Sequence, residues 1–135
     1  MNTELTEENY QALSRYRQER AHETISEIPF LCEQGYYNTA INRLYYACYY
    51  AAEALLLQNH ISASTHAGVK SMLGLHFVSK GILSLDDGKT FNTLLEKRHS
   101  SDYEAFAYCD KELIDSLTPR ADIFIADIKE LLKRG

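Results

Sequence analysis

Apolar residues recur along this chain at spacings of three and four, with no convincing stretch of strict alternation, so the pattern predicts an all-α fold. A first helical region is predicted from Thr6 to Gln34, with Leu13, Tyr16, Ile25, Ile28 and Leu31 on its inward side. Pro29 should kink or divide it, and Gly35 should stop it. Asn38 or Thr39 can cap a second helix that ends near Asn59 and carries Ile41, Leu44, Tyr45, Cys48, Ala52 and Leu55 on one stripe. Tyr46, Tyr49 and Tyr50 occupy its other sides, and a helix apolar or aromatic on nearly every face must be buried nearly all round. Ser64 or Thr65 starts a third helix, with Val69, Met72, Leu73, His76 and Phe77 in register and the Lys80-Gly81 pair as its end. The polar segment LSLDDGK reads as a turn leading to a fourth helix that holds Phe91, Leu94 and Leu95. The last helix, begun by Asp110, keeps Leu113, Leu117, Ala121, Phe124, Ile128, Leu131 and Leu132 on one face, and Pro119 should bend it.

With no internal repeat and no Pro/Gly/Ser-rich linker, residues 1–135 read as one domain, an antiparallel bundle of four to five helices. The aromatic faces of the second helix call for a partner, most simply a second copy of the chain.

Charge narrows the function classes. Fourteen Lys+Arg against 19 Asp+Glu give a formal −5, which argues against a protein that coats nucleic acid through phosphate contacts alone but leaves room for a local basic pocket. Cys32, Cys48 and Cys109 are widely spaced, odd in number and set in helical patterns; they read as small buried apolar residues in a reducing compartment and make no zinc site. The polar N-terminus has no apolar signal region and no uncharged run reaches the roughly 18 residues of a membrane span, so the expected location is the cytoplasm. There is no glycine-rich phosphate loop, no Ser-His-Asp or Cys-His arrangement and no pair of carboxylates at a defensible spacing, so neither a metal nor a cofactor is expected.

Two arginines stand where apolar residues are expected. Arg98 follows Leu94 by four residues and Leu95 by three, so on a continuing helix it projects toward the core and needs an acidic partner, such as Asp102, or a bound anion. Tyr103 converges on Arg98 only if the helix ends or loosens at Ser100-Ser101. His99, beside Arg98, is either a proton-transfer group near neutral pH or a solvated residue at a helix end. Arg43 has Tyr46, Ala47 and Tyr50 at helical spacings, so it can stack on rings or reach a carboxylate or phosphate across the bundle. His66 and His76 are ten residues apart, too far along one helix to share a metal, and read as packing or capping residues.

The segments GYYNTAINRLYYACYYAAEALLL, THAGVKSMLGLHFV and KRHSSDYEAF, in this order and spacing, resemble the HEPN superfamily over nearly the whole chain, and in particular its small stand-alone prokaryotic branch. The resemblance implies a four- or five-helix bundle that dimerises, with the Arg98 segments of two subunits facing a shared cleft. Many members of that superfamily are metal-independent endoribonucleases whose motif is an Arg, a polar residue, and a His four to six residues beyond the Arg. Arg98 and His99 match the first two positions, whereas Tyr103 stands where the terminal His is expected and no histidine follows His99. In the family mechanism the arginine holds the scissile phosphate while the histidine supports attack by the ribose 2′-hydroxyl, a task to which tyrosine, with a pKa of about 10, is poorly suited. Related proteins work with a minimal nucleotidyltransferase in toxin–antitoxin modules, and some carry a tyrosine that the partner nucleotidylates. Their motif keeps a histidine before that tyrosine, where this chain has Ser101.

The expectation is therefore a homodimeric nucleotide- or RNA-binding module paired with a nucleotidyltransferase or a defence or stress system, its site lined by Arg98, His99, Asp102 and Tyr103 and supported by Arg43 and Tyr46. The alternatives are a ribonuclease toxin with Arg98 and His99 as catalytic residues, and a structural dimer in which Arg98 pairs with Asp102.

Overall fold

A computed structural model describes residues 6–103 and 109–134, the side chains of 99–103 excepted. Its elements are α1 (Glu7–Ser26), α2 (Ile28–Glu33), α3 (Tyr37–Gln58), α4 (His66–Leu73), a π-helical turn (Gly74–Val78) that continues α4, α5 (Leu85–Tyr103) and α6 (Lys111–Arg134). No strand occurs among the described residues, as the periodicity predicts.

Side chains set most of these boundaries. Thr6 caps α1 by accepting from the Asn9 amide, Thr65 caps α4 through the Gly68 amide, and Asp110 caps α6 through the Leu113 amide. Pro29 divides the first helical region: α1 ends at Ser26 and Pro29 occupies the first turn of α2, where its missing N–H has no helical acceptor to satisfy. Gly35 (φ +77°) and Gly81 (φ +73°) take the left-handed conformation after their helices, as helix-stopping glycines do.

Three expectations are corrected. Neither Asn38 nor Thr39 caps α3, which starts at Tyr37; the Asn38 Oδ1 instead accepts from the Cys109 amide at 2.5 Å and ties the start of α6 to α3. The segment LSLDDGK is not a turn, because Ser84 Oγ accepts from the Asp87 amide and Asp86 and Asp87 form the acidic first turn of α5, where the helix dipole favours them. Most instructive is α1: Leu13 and Tyr16 are exposed, and the buried positions are Ser14, Ala21 and Thr24. These small residues face α3, whose own facing layer includes Ala47, Ala51 and Ala54, and Ser14 Oγ donates to the Ala54 carbonyl at 2.8 Å. Close approach of two helices requires small side chains between them, so size, not hydrophobicity, decides this interface.

The core is organised around α3, which touches every other α-helix. One side of it packs on α5 and α6, where Phe91 and Phe124 stack with ring centroids 5.7 Å apart and Leu94, Ile114, Leu117 and Ile128 are buried. Pro119 lies within α6, which continues through it. Cys48 and Cys109 are buried, Cys32 is half-buried, all are free thiols, and burial pushes Cys109 up to about 11. No helix among the described residues is long and apolar enough to cross a membrane.

Candidate functional site

The side of α3 turned away from α6 carries four tyrosines, and three other helices bring polar groups onto them. Tyr45 and Tyr49 are buried, and Tyr46 and Tyr50 are half-buried, so the aromatic face expected to seek an outside partner is largely covered within the subunit. Neighbouring rings touch in series, Tyr45 to Tyr46 at 5.4 Å, Tyr46 to Tyr49 at 6.1 Å and Tyr46 to Tyr50 at 5.9 Å between centroids.

From α5, Arg98 reaches across to this face. Its Nη2 donates to the Tyr46 hydroxyl at 3.1 Å, and its guanidinium carbon lies 5.8 Å from the Tyr45 ring centre and 5.4 Å from that of Tyr46. An arginine at this point of the Leu94 stripe would face apolar side chains on an all-aliphatic bundle; the tyrosines give the planar cation two ring faces and a hydroxyl. Arg98 and Tyr46, both expected at the site from sequence, are thus brought together.

His66, the first residue of α4, completes the cluster. Its Nδ1 is 2.6 Å from the Tyr45 hydroxyl and its ring stacks on Tyr49 at 4.4 Å. Burial, and then the positive charge of Arg98, lower its pKa, so the imidazole is neutral near neutral pH. Burial pushes the Tyr45 hydroxyl well above the usual phenol range and keeps it protonated. With Tyr45 donating to Nδ1, the ring proton of a neutral His66 sits on Nε2, where it can be offered to an acceptor. In the sequence His66 has the marks of a packing or capping residue; the signal that singles it out is its position directly after a helix cap, where the dipole disfavours a cation. Its juxtaposition with Arg98 depends on tertiary contacts that no local spacing encodes.

At the other end of the tyrosine face, α1 contributes two more cations. Arg17 lies 5.6 Å from the Tyr16 ring centre and 5.8 Å from that of Tyr50, and Arg20 lies 5.3 Å from Tyr50. Arg43 is turned elsewhere: its Nε and Nη2 donate to the Glu27 carboxylate at 3.0 and 3.3 Å where α1 meets α2. The side chains of His99, Asp102 and Tyr103 lie outside the described residues.

Chemically, the cluster offers a guanidinium fixed on aromatic faces, a neutral imidazole with a defined hydrogen bond, and rings on which a planar ligand can stack. Arginine presents a rigid fork that matches phosphate oxygens, and aromatic rings stack bases without regard to sequence.

Comparison with known proteins agrees with the fold. The chain is 30% identical over 118 residues to a UPF0332 protein of Thermotoga maritima, covering 87% of this chain and 89% of that one. It is 34% identical over 115 residues to a protein of Methanocaldococcus jannaschii named "Putative toxin", covering 85% of each. A second protein of that organism with the same designation is 28% identical, over 84% of this chain and 78% of its own length. The family model described as the HEPN domain matches residues 14–131, a span that takes in α3, His66 and Arg98 together, and the chain belongs to the HEPN domain family.

Proposed function

We propose that this HEPN domain is a cytoplasmic, homodimeric module that binds RNA or a nucleotide, working with a nucleotidyltransferase or another defence or stress component. The observation that carries the ligand class is Arg98, held on Tyr45 and Tyr46 beside a neutral His66: a cation for phosphate next to rings for a base. Tyr46 supports the guanidinium, and His99, Asp102 and Tyr103 follow Arg98 on the same helix as candidates to contact the ligand. The test is fluorescence anisotropy with short labelled single-stranded RNA and with ATP and GTP analogues, using wild type and Arg98→Ala. Binding that falls at least tenfold in the variant, about 1.4 kcal/mol, supports the reading; equal binding by both proteins overturns it.

A second reading is a metal-independent ribonuclease toxin, favoured by the toxin names of the two Methanocaldococcus relatives and by the histidine beside Arg98. In it Arg98 steadies the scissile phosphate, and His99 or His66 handles the proton of the attacking 2′-hydroxyl. Cleavage of total RNA in the presence of a chelator, by wild type and by the Arg98→Ala, His99→Ala and His66→Ala variants, separates the two readings and names the proton carrier. No cleavage by wild type leaves the binding module.

A further inference from the structure

A cleft of about 380 Å³ opens beside the tyrosine face, between α1, α3 and the segment leading into α4. Leu56, Leu57, Ile61 and Val69 contribute its apolar lining, and Arg17 and Glu53 supply its charged pair. The Nε of Arg17 and the Oε1 of Glu53 stand 3.6 Å apart, an ion pair too long for a hydrogen bond. Both atoms are shut off from solvent, and neither has a hydrogen-bond partner among the described residues. The two side chains are nevertheless 34% and 17% exposed on the wall of the cleft, so the rest of the guanidinium and carboxylate sets a donor group beside an acceptor group for whatever enters.

The ligand must carry an acceptor next to a donor on one edge and a flat apolar surface for the leucines and the valine. A nucleobase has both, and guanine fits best: its O6 accepts from an arginine while the adjoining N1–H and N2–H donate to a carboxylate. Arg17 links the cleft to the Arg98 site, because it lines the cleft and its guanidinium lies over Tyr50, which touches Tyr46. Seven residues of α3, about 10 Å of helix, separate Tyr46 from Glu53.

We propose that the cleft between α1 and α3 is a base pocket for single-stranded RNA, with Arg17 and Glu53 reading a guanine edge one or two nucleotides from the phosphate held at Arg98. This rests on the RNA-binding reading above. It makes the tyrosine face a track with a phosphate site at one end and a base-selective site at the other. Arg20, on Tyr50, lies where the intervening backbone passes.

The test is anisotropy with a labelled decamer of uridines and with the same decamer carrying one central guanosine, using wild type, Glu53→Gln, Arg17→Lys and Arg98→Ala. The expected result is at least tenfold tighter binding of the guanosine strand by wild type. That preference should be lost in Glu53→Gln and Arg17→Lys with little change toward all-uridine RNA, whereas Arg98→Ala weakens both strands alike. Should one of the two cleft variants fail to fold by circular dichroism, the other carries the test. No guanosine preference in wild type, or a preference that survives both cleft variants, overturns the pocket while leaving RNA binding at Arg98 intact. No binding of either strand by wild type overturns both.

Discussion

One helix, α3, presents two unlike faces, and the contrast separates an apolar seam from the polar, aromatic face to which the proposed function is assigned. Toward α5 and α6 it meets a dry seam of Leu94, Ile114, Leu117, Phe91, Phe124 and Ile128. Toward α1, α4 and the end of α5 it meets Arg17, Arg20, His66 and Arg98 through tyrosine rings and hydroxyls. Burial of apolar area stabilises the first face without directional demands. On the second, Arg98 and His66 are partly buried against rings and single hydrogen bonds, and the partly exposed Arg17 and Arg20 pair with Glu53 and Glu23, an arrangement that contributes little net stability. A fold that needed only stability would place aliphatic side chains there.

If that division is right, the two faces should respond differently to substitution. Phe124→Ala, in the seam, should lower unfolding free energy by about 3–5 kcal/mol in urea titration. Arg98→Ala should lower it by no more than about 1–2 kcal/mol while weakening RNA or nucleotide binding at least tenfold; a loss of stability equal to that of Phe124→Ala would make Arg98 a core element and erase the contrast.

The seam also has a polar end that sharpens the comparison. Asp87 lies one helical turn before Phe91 on α5 and is buried, and burial, followed by a hydrogen bond shared with Asp127 of α6, lifts its carboxyl to about 7. Because the folded chain holds this proton at pH values where an unfolded carboxylate, pKa about 3.9, has lost it, stability should fall as pH rises from about 4 to about 7 and level off above. Asp87→Asn should flatten that slope and exceed wild type above pH 7 by on the order of 1 kcal/mol, read as the urea midpoint across pH.

The tyrosine face carries the opposite sign. His66 binds its proton less readily in the folded chain than unfolded, so its contribution to stability is lost as pH falls below about 6.5. In an NMR titration its pKa should lie below the ordinary histidine value, and move part of the way back up in Arg98→Ala, the smallest of these effects. No movement would mean that burial alone sets it.

How much of this was legible beforehand depends on whether a feature is local. Helix caps at Thr65 and Asp110, the break at Pro29 and the glycine stops are properties of a few adjacent residues, and the chain announces them. Arg98 was visible because it interrupts an apolar stripe, and Tyr46 because it crowds an aromatic helix. The inward face of α1 is not legible from hydrophobicity, because size governs there: the apolar pattern points to Leu13, whereas the chain buries Ser14. His66 and the Arg17–Glu53 cleft depend on residues dozens of positions apart, and no spacing along the chain marks them.

The small-residue layer between α1 and α3 then acquires a meaning beyond packing. Since Ser14, Ala21 and Thr24 fix how closely α1 lies on α3, they also set the gap across which Arg17 and Arg20 reach Tyr50. In a saturation library scored by ligand capture, these three positions should be as intolerant of enlargement as residues that touch the ligand, even where the enlarged variants still melt cooperatively. The layer is a spacer that sets the distance between the two helices.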